Sequence, residues 1–194
     1  SLVSQGRLPF KKCSPHHHGP QTWFQTSLFG CPMAKVVGAP NTGCMNHMAN
    51  STKLAKALDK PFAGCVTLVT GGSGAIGAAT AGAFARKGAE IAVLDMDEVK
   101  AREICREVGG TARAIRCDVT DGASVRAAFD QVCESFGGVD IVVSNAGAAW
   151  QGKIGEVSDA VLRKSFELNF FGHQTVAQNA VRVMRAQGRG GTLL

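Results

Sequence analysis

Residues 71–77 read Gly-Gly-Ser-Gly-Ala-Ile-Gly, and Asp95 stands eighteen positions beyond Gly77. Gly71, Gly72 and Gly74 let the backbone turn tightly and present its N–H groups without side chains in the way. Such a turn running into a helix holds anions, because the free N–H groups and the helix dipole converge on one spot. The chemistry is phosphate binding by main chain. Asp95 adds a second element: a carboxylate at the end of the next strand accepts hydrogen bonds from ribose hydroxyls, and its charge repels a 2′-phosphate. Together they point to a dinucleotide site that prefers NAD to NADP. Two plainer readings stay open, a tight strand-to-helix turn without a ligand and an Asp that caps a helix.

These residues need a strand before the glycines and a helix behind them. Cys65–Val69 is a short apolar run with β-branched Val66, Thr67 and Val69, the pattern of a strand covered on both faces. A helix from Ala75 carries Ile76, Ala79, Thr80, Ala83 and Phe84 on one face and stops near Lys87-Gly88. Alternation continues with a strand over 90–95, a helix over 97–108, a strand over 112–117 and a helix over 121–136. In the last of these Val125, Ala128, Phe129, Val132, Cys133 and Phe136 recur at helical spacing. A fourth strand covers 140–144, helices follow over 158–167 and 170–187, the latter with Phe170, Val176, Ala177, Val181 and Met184 inward, and residues 192–194 open a fifth strand. Alternating strands and helices with short connections define the class as α/β, a Rossmann-type doubly wound parallel sheet, incomplete at its C-terminus.

Forty-five per cent hydrophobic and 19% charged residues suffice for a core, and no apolar run approaches a membrane span. The net charge of +6 is concentrated: residues 1–60 carry seven Lys and Arg against Asp59, whereas residues 61–194 carry fourteen of each sign. A nucleic-acid surface would need a basic face with aromatic platforms on the domain itself, and neither is seen. The seven cysteines form no framework, and Cys65, Cys105, Cys117 and Cys133 read as buried thiols in a reducing, cytoplasmic setting.

Residues 1–60 form a separate basic segment of unknown role, with the domain entrance at Lys60-Pro61. Cys13 with His16–His18, and Cys31, Cys44 and His47, invite a zinc reading. They lack the paired spacings of zinc sites, and no metal site is assigned. Residues 53–60 are a short helix candidate.

Five motifs in order give a resemblance. Thr70-Gly71-Gly72-Ser73-Gly74-Ala75-Ile76-Gly77, Asp95, Asp118-Val119, Ser144-Asn145-Ala146-Gly147 and Asn169 within 167–172 follow the pattern TGxxxGxG, acid, Asp-Val, NNAG and Asn. Residues 63–194 thus resemble the first part of a short-chain dehydrogenase/reductase. Two positions depart from it: Ala75 replaces the middle glycine, and Ser144 the first Asn. The resemblance implies that Gly71, Ser73, Gly74, Ala75, Ile76 and Gly77 bind the cofactor, and that Asp118 and Val119 contact the adenine. It further implies that Asn145, Ala146 and Gly147 line the cleft, and that Asn169 orders a water in the catalytic proton relay. The stretch 147–191 is also similar to the dehydrogenase domain of bifunctional rhamnulose-phosphate aldolase/alcohol dehydrogenases.

The family moves hydride between a nicotinamide and an alcohol or ketone, using a Tyr whose pKa of about 10 is lowered by a neighbouring Lys. This chain has no Tyr. The expectation is therefore the cofactor-binding half of an NAD-dependent oxidoreductase, inactive as it stands. The full-length form would be a homo-oligomer acting on a small, sugar-derived alcohol or ketone, with no nucleic acid or membrane partner. The rivals are a non-catalytic dinucleotide-binding module and a nucleotide-sugar epimerase or dehydratase.

Overall fold

The computed structural model describes residues 60–194. The Cys and His residues weighed above as zinc ligands lie outside the described residues, as does the helix candidate over 53–60 except for Lys60. Five strands, β1 (Val66–Thr70), β2 (Glu90–Asp95), β3 (Arg113–Arg116), β4 (Ile141–Val143) and β5 (Thr192–Leu193), pair in the order β3-β2-β1-β4-β5. Every pairing is parallel. The helices are α1 (Ala75–Arg86), α2 (Glu98–Val108), α3 (Gly122–Phe136), α4 (Asp159–Phe166) and α5 (Gly172–Gln187), with a π-helical turn at Glu167–Phe171.

Both sheet faces are covered, which is why β1 is buried at all five positions. Leu68, Ala92, Leu94 and Val142 pack with Val125, Phe129 and Val132 of α3 and Val176, Ala180 and Val183 of α5. On the opposite face Val69, Ile91 and Val93 meet Ala81 of α1 and Ala101 of α2. Short polar side chains start the later helices: Asp97 accepts from the Lys100 N–H, Asp121 from Ala123 and Ser158 from Val161. Glycines in the left-handed region end α3 and α5 at Gly137 and Gly188.

Two helix faces differ from expectation. Helix α1 turns Gly77 and Ala81 inward, while Ile76 is 74% exposed and Ala79 and Ala83 face outward. An Ala-rich helix is apolar on every side, so the inward face is chosen by side-chain size and not by polarity: Gly77 and Ala81 allow the closest approach to the sheet. The helices expected over 158–167 and 170–187 join through the π-helical turn. With its wider turn the helix buries Gly172, Val176, Ala180, Val183 and Met184 and leaves Phe170 and Val181 exposed. Among the described residues Cys117 is fully buried, whereas Cys65, Cys105 and Cys133, also expected to be buried, are half-buried.

Candidate functional site

Strand order reverses between β1 and β4, and the loops leaving those strands diverge to opposite faces of the sheet. A crevice opens there, where ligands of doubly wound folds bind. It is a cavity of about 450 Å³, within the usual range of ligand pockets. Gly71, Ser73, Gly74, Ala75, Ile76, Gly77, Asp95, Val119, Asn145, Ala146 and Gly147 line it. The structure thus gathers eleven of the thirteen site residues expected from sequence. Asp118 and Asn169 are not among the lining residues.

The glycine turn is fixed by close backbone approaches. Gly71 has φ +61°, and a Cβ there would lie 2.8 Å from Ala146 Cα. A Cβ at Gly77 would overlap the Gly71 carbonyl oxygen and lie 2.8 Å from Gly72 Cα. The Gly72 N–H donates to the Leu94 carbonyl at 3.2 Å, tying the turn to β2. Helix α1 has Gly74 at its N-cap, no side-chain cap and no acid in its first turn. Its first N–H groups therefore have no side-chain cap of their own, and they border the cavity at the positive end of the helix dipole.

Asp95, at the end of β2, accepts the Ser73 N–H on Oδ2 and the Asp97 N–H on Oδ1, each at 3.0 Å. An ionised carboxylate has about four acceptor positions, so roughly two remain for a ligand. Asp97 is the residue that caps α2, so the capping role weighed for Asp95 is carried two residues later.

Across the crevice, Thr70 Oγ1 accepts the N–H groups of Asn145 and Ala146 at 2.9 and 3.0 Å. The Asn145 amide returns the tie, donating to the carbonyls of Thr70 and Gly71 at 3.0 and 3.2 Å. Asn169 holds the far end of the same loop. Its Oδ1 accepts the Ala148 N–H at 3.1 Å and its Nδ2 donates to the Ala148 carbonyl at 2.8 Å. Asp118 is turned toward its own loop, accepting the N–H and hydroxyl of Thr120 at 2.9 and 2.7 Å.

Met96, Cys117 and Leu168 also line the cavity. Each adjoins a residue singled out from sequence, Asp95, Asp118 and Asn169, and that adjacency is the signal that could have found them. Burial, and secondarily the charge of Asp118, pushes the Cys117 thiol up to about 12, so it stays protonated at neutral pH. Thr70 enters the sequence reading only as part of a motif; its hydroxyl ties the two loops together across the crevice.

Residues 65–193 match the family model for short chain dehydrogenases, and the chain belongs to that family. Over 146 residues it is 37% identical to the D-threitol dehydrogenase of Mycolicibacterium smegmatis, covering 74% of this chain and 56% of that protein. Over 129 residues it is 34% identical to the galactitol 2-dehydrogenase of Agrobacterium fabrum, covering 66% and 50%. A solved short-chain type dehydrogenase/reductase from Mycobacterium marinum aligns with TM-score 0.64 at 38% identity, over 68% of this chain and 55% of that one. The chain therefore spans about half the length of these relatives. Among the described residues no helix is long and apolar enough to cross a membrane.

Proposed function

We propose that this chain is the cofactor-binding half of an NAD-dependent dehydrogenase acting on a small polyol or the corresponding ketone. The observation that carries the reading is the Asp95 carboxylate at the cavity rim, fixed by two backbone donors and with acceptor positions to spare. When bound, the nicotinamide supplies hydride exchange with a carbinol carbon. The chain's own residues bind and orient. The first N–H groups of α1 and the glycine turn take the pyrophosphate, Asp95 takes the ribose hydroxyls and disfavours a 2′-phosphate, and Val119 with Asp118 borders the adenine. Asn145, Ala146 and Gly147 form the opposite wall, and Asn169 holds that wall in place and orders a water for the proton relay of the whole enzyme.

The polyol assignment draws on the relatives named for threitol and galactitol. The residues of this chain supply cofactor binding, and the Tyr that serves the family as acid/base is not among these 194 residues. Exposed Phe166, Phe170 and Phe171 along the α4–π–α5 rod, with Leu162, support a homo-oligomer. Cysteines without disulfides among the described residues accord with the cytoplasm. Calorimetric titration with NAD and NADP tests the reading: NAD binds more tightly, and equal affinities would remove Asp95 from the ribose.

A further inference from the structure

Ser144, one of the two departures from the family motif, does not hang idle at the end of β4. Its Oγ lies 2.6 Å from His173 Nδ1, and its N–H donates to the Leu194 carbonyl at 2.8 Å. His173 follows Asn169 by four positions on the continuous rod, one turn further along, so the two project from the same side. Asn169 grips Ala148 and His173 grips Ser144. The three residues between these anchor points, Asn145, Ala146 and Gly147, are the ones that line the cavity. The π-helical turn contains Asn169 and ends immediately before α5, which brings in His173, and such turns recur at functional sites.

We infer that His173 is a positioning residue of the cofactor wall: with Asn169 it forms a two-point clamp on residues 144–148, acting through the Ser144 hydroxyl. The inference rests on the NAD reading for its consequence but not for its geometry. On the side facing the helix, one contact holds a single point of the loop, whereas two contacts from one helix hold both its position and its direction. Asn145 is the residue that benefits, since its side chain must reach the Thr70 and Gly71 carbonyls on the neighbouring loop. A slack 144–148 segment would loosen the glycine turn through that amide.

The test uses the whole chain and two readouts. Amide hydrogen exchange is measured at Asn145 and Ala146, whose N–H groups bond to Thr70 and touch neither His173 nor Ser144 side chains. In His173→Phe and in the milder Ser144→Ala, both amides should exchange about fivefold faster, the order expected for one lost hydrogen bond. Amides of β2 should be unchanged, and His173→Asn, which keeps a hydrogen-bonding group, should recover part of the protection. NAD affinity should fall by a similar factor, and the double variant should be no weaker than the worse single one. Exchange unchanged within about twofold in both single variants would overturn the clamp, as would faster exchange with undiminished NAD affinity. If the unmodified chain binds no NAD, the functional reading fails, and the exchange data still decide whether His173 positions the loop.

Discussion

The Ser73 N–H donates to the Asp95 carboxylate at 3.0 Å, so the acid assigned to the ribose is also an anchor of the glycine turn assigned to the pyrophosphate. One side chain couples two halves of the site. Asp95→Asn should therefore weaken NAD by roughly tenfold, since hydrogen bonds to a charged group contribute about 1.5–3 kcal/mol and the amide keeps an acceptor. NADP should lose less. Titration of both dinucleotides against the variant measures this, and an unchanged NAD to NADP ratio would sink it.

Two glycines of α1 should respond in opposite directions. Gly77→Val drives a side chain into the backbone of Gly71 and Gly72, which cannot yield cheaply, and should cost about 1–3 kcal/mol of stability together with dinucleotide binding. A Cβ at Gly82 meets only the end of the flexible Arg86 side chain at 3.2 Å. Gly82→Ala should stabilise by about 0.5–1 kcal/mol through helix propensity. Chemical denaturation of both variants is the measurement, and a neutral Gly77→Val would contradict the packing argument.

The buried Cys117 thiol gives a pH signature. Its pKa is about 9 when exposed and about 12 in the fold, so between those values the unfolded chain has released a proton that the folded chain retains. The thiol's contribution is complete below pH 9 and falls as pH rises toward 12. Cys117→Ala should flatten the decline of the melting temperature over that window by one proton's worth. Parallel slopes in the two proteins would remove Cys117 from the effect.

Phe166 and Phe171, 53% and 47% exposed, flank a cavity on the rod of α4, the π-helical turn and α5. A chain that self-associates through this face should do so less when it is charged. Phe166→Glu with Phe171→Glu should lower the mass seen by light scattering and leave the far-ultraviolet dichroism intact. An unaltered mass would move the interface elsewhere.

Sequence carried the architecture well because its signals are local. Strand β2 at Glu90–Asp95 coincides with the segment read from its apolar run, and the glycine stops after α2 and α3 sit where the helical period ends. The cavity lining was legible because it belongs to turns with few residue types to choose from. Helix orientation was not: α1 is apolar all round, so periodicity could not select Gly77 and Ala81 as the buried pair. The π-helical turn was equally hidden, since 167–171 contains no Pro or Gly to mark it, and it moved Phe170 outward. The grip of Asn169 on Ala148 and of His173 on Ser144 joins positions more than twenty residues apart, and no local pattern encodes such a pair.

The tie between Thr70 and Asn145 spans 75 residues of chain. Strand β1 meets β2 after a single helix, whereas it meets β4 only once two further strand–helix units have been reeled in. Closing the longer loop carries the larger entropic cost, and pairings of high sequence separation tend to form late. A partly folded species holding β1 to β3 would own the glycine turn and Asp95 yet lack the wall of Asn145, Ala146 and Gly147. Dinucleotide would then act on the last stage of folding, drawing the chain toward the completed sheet by mass action while giving no help to what precedes it.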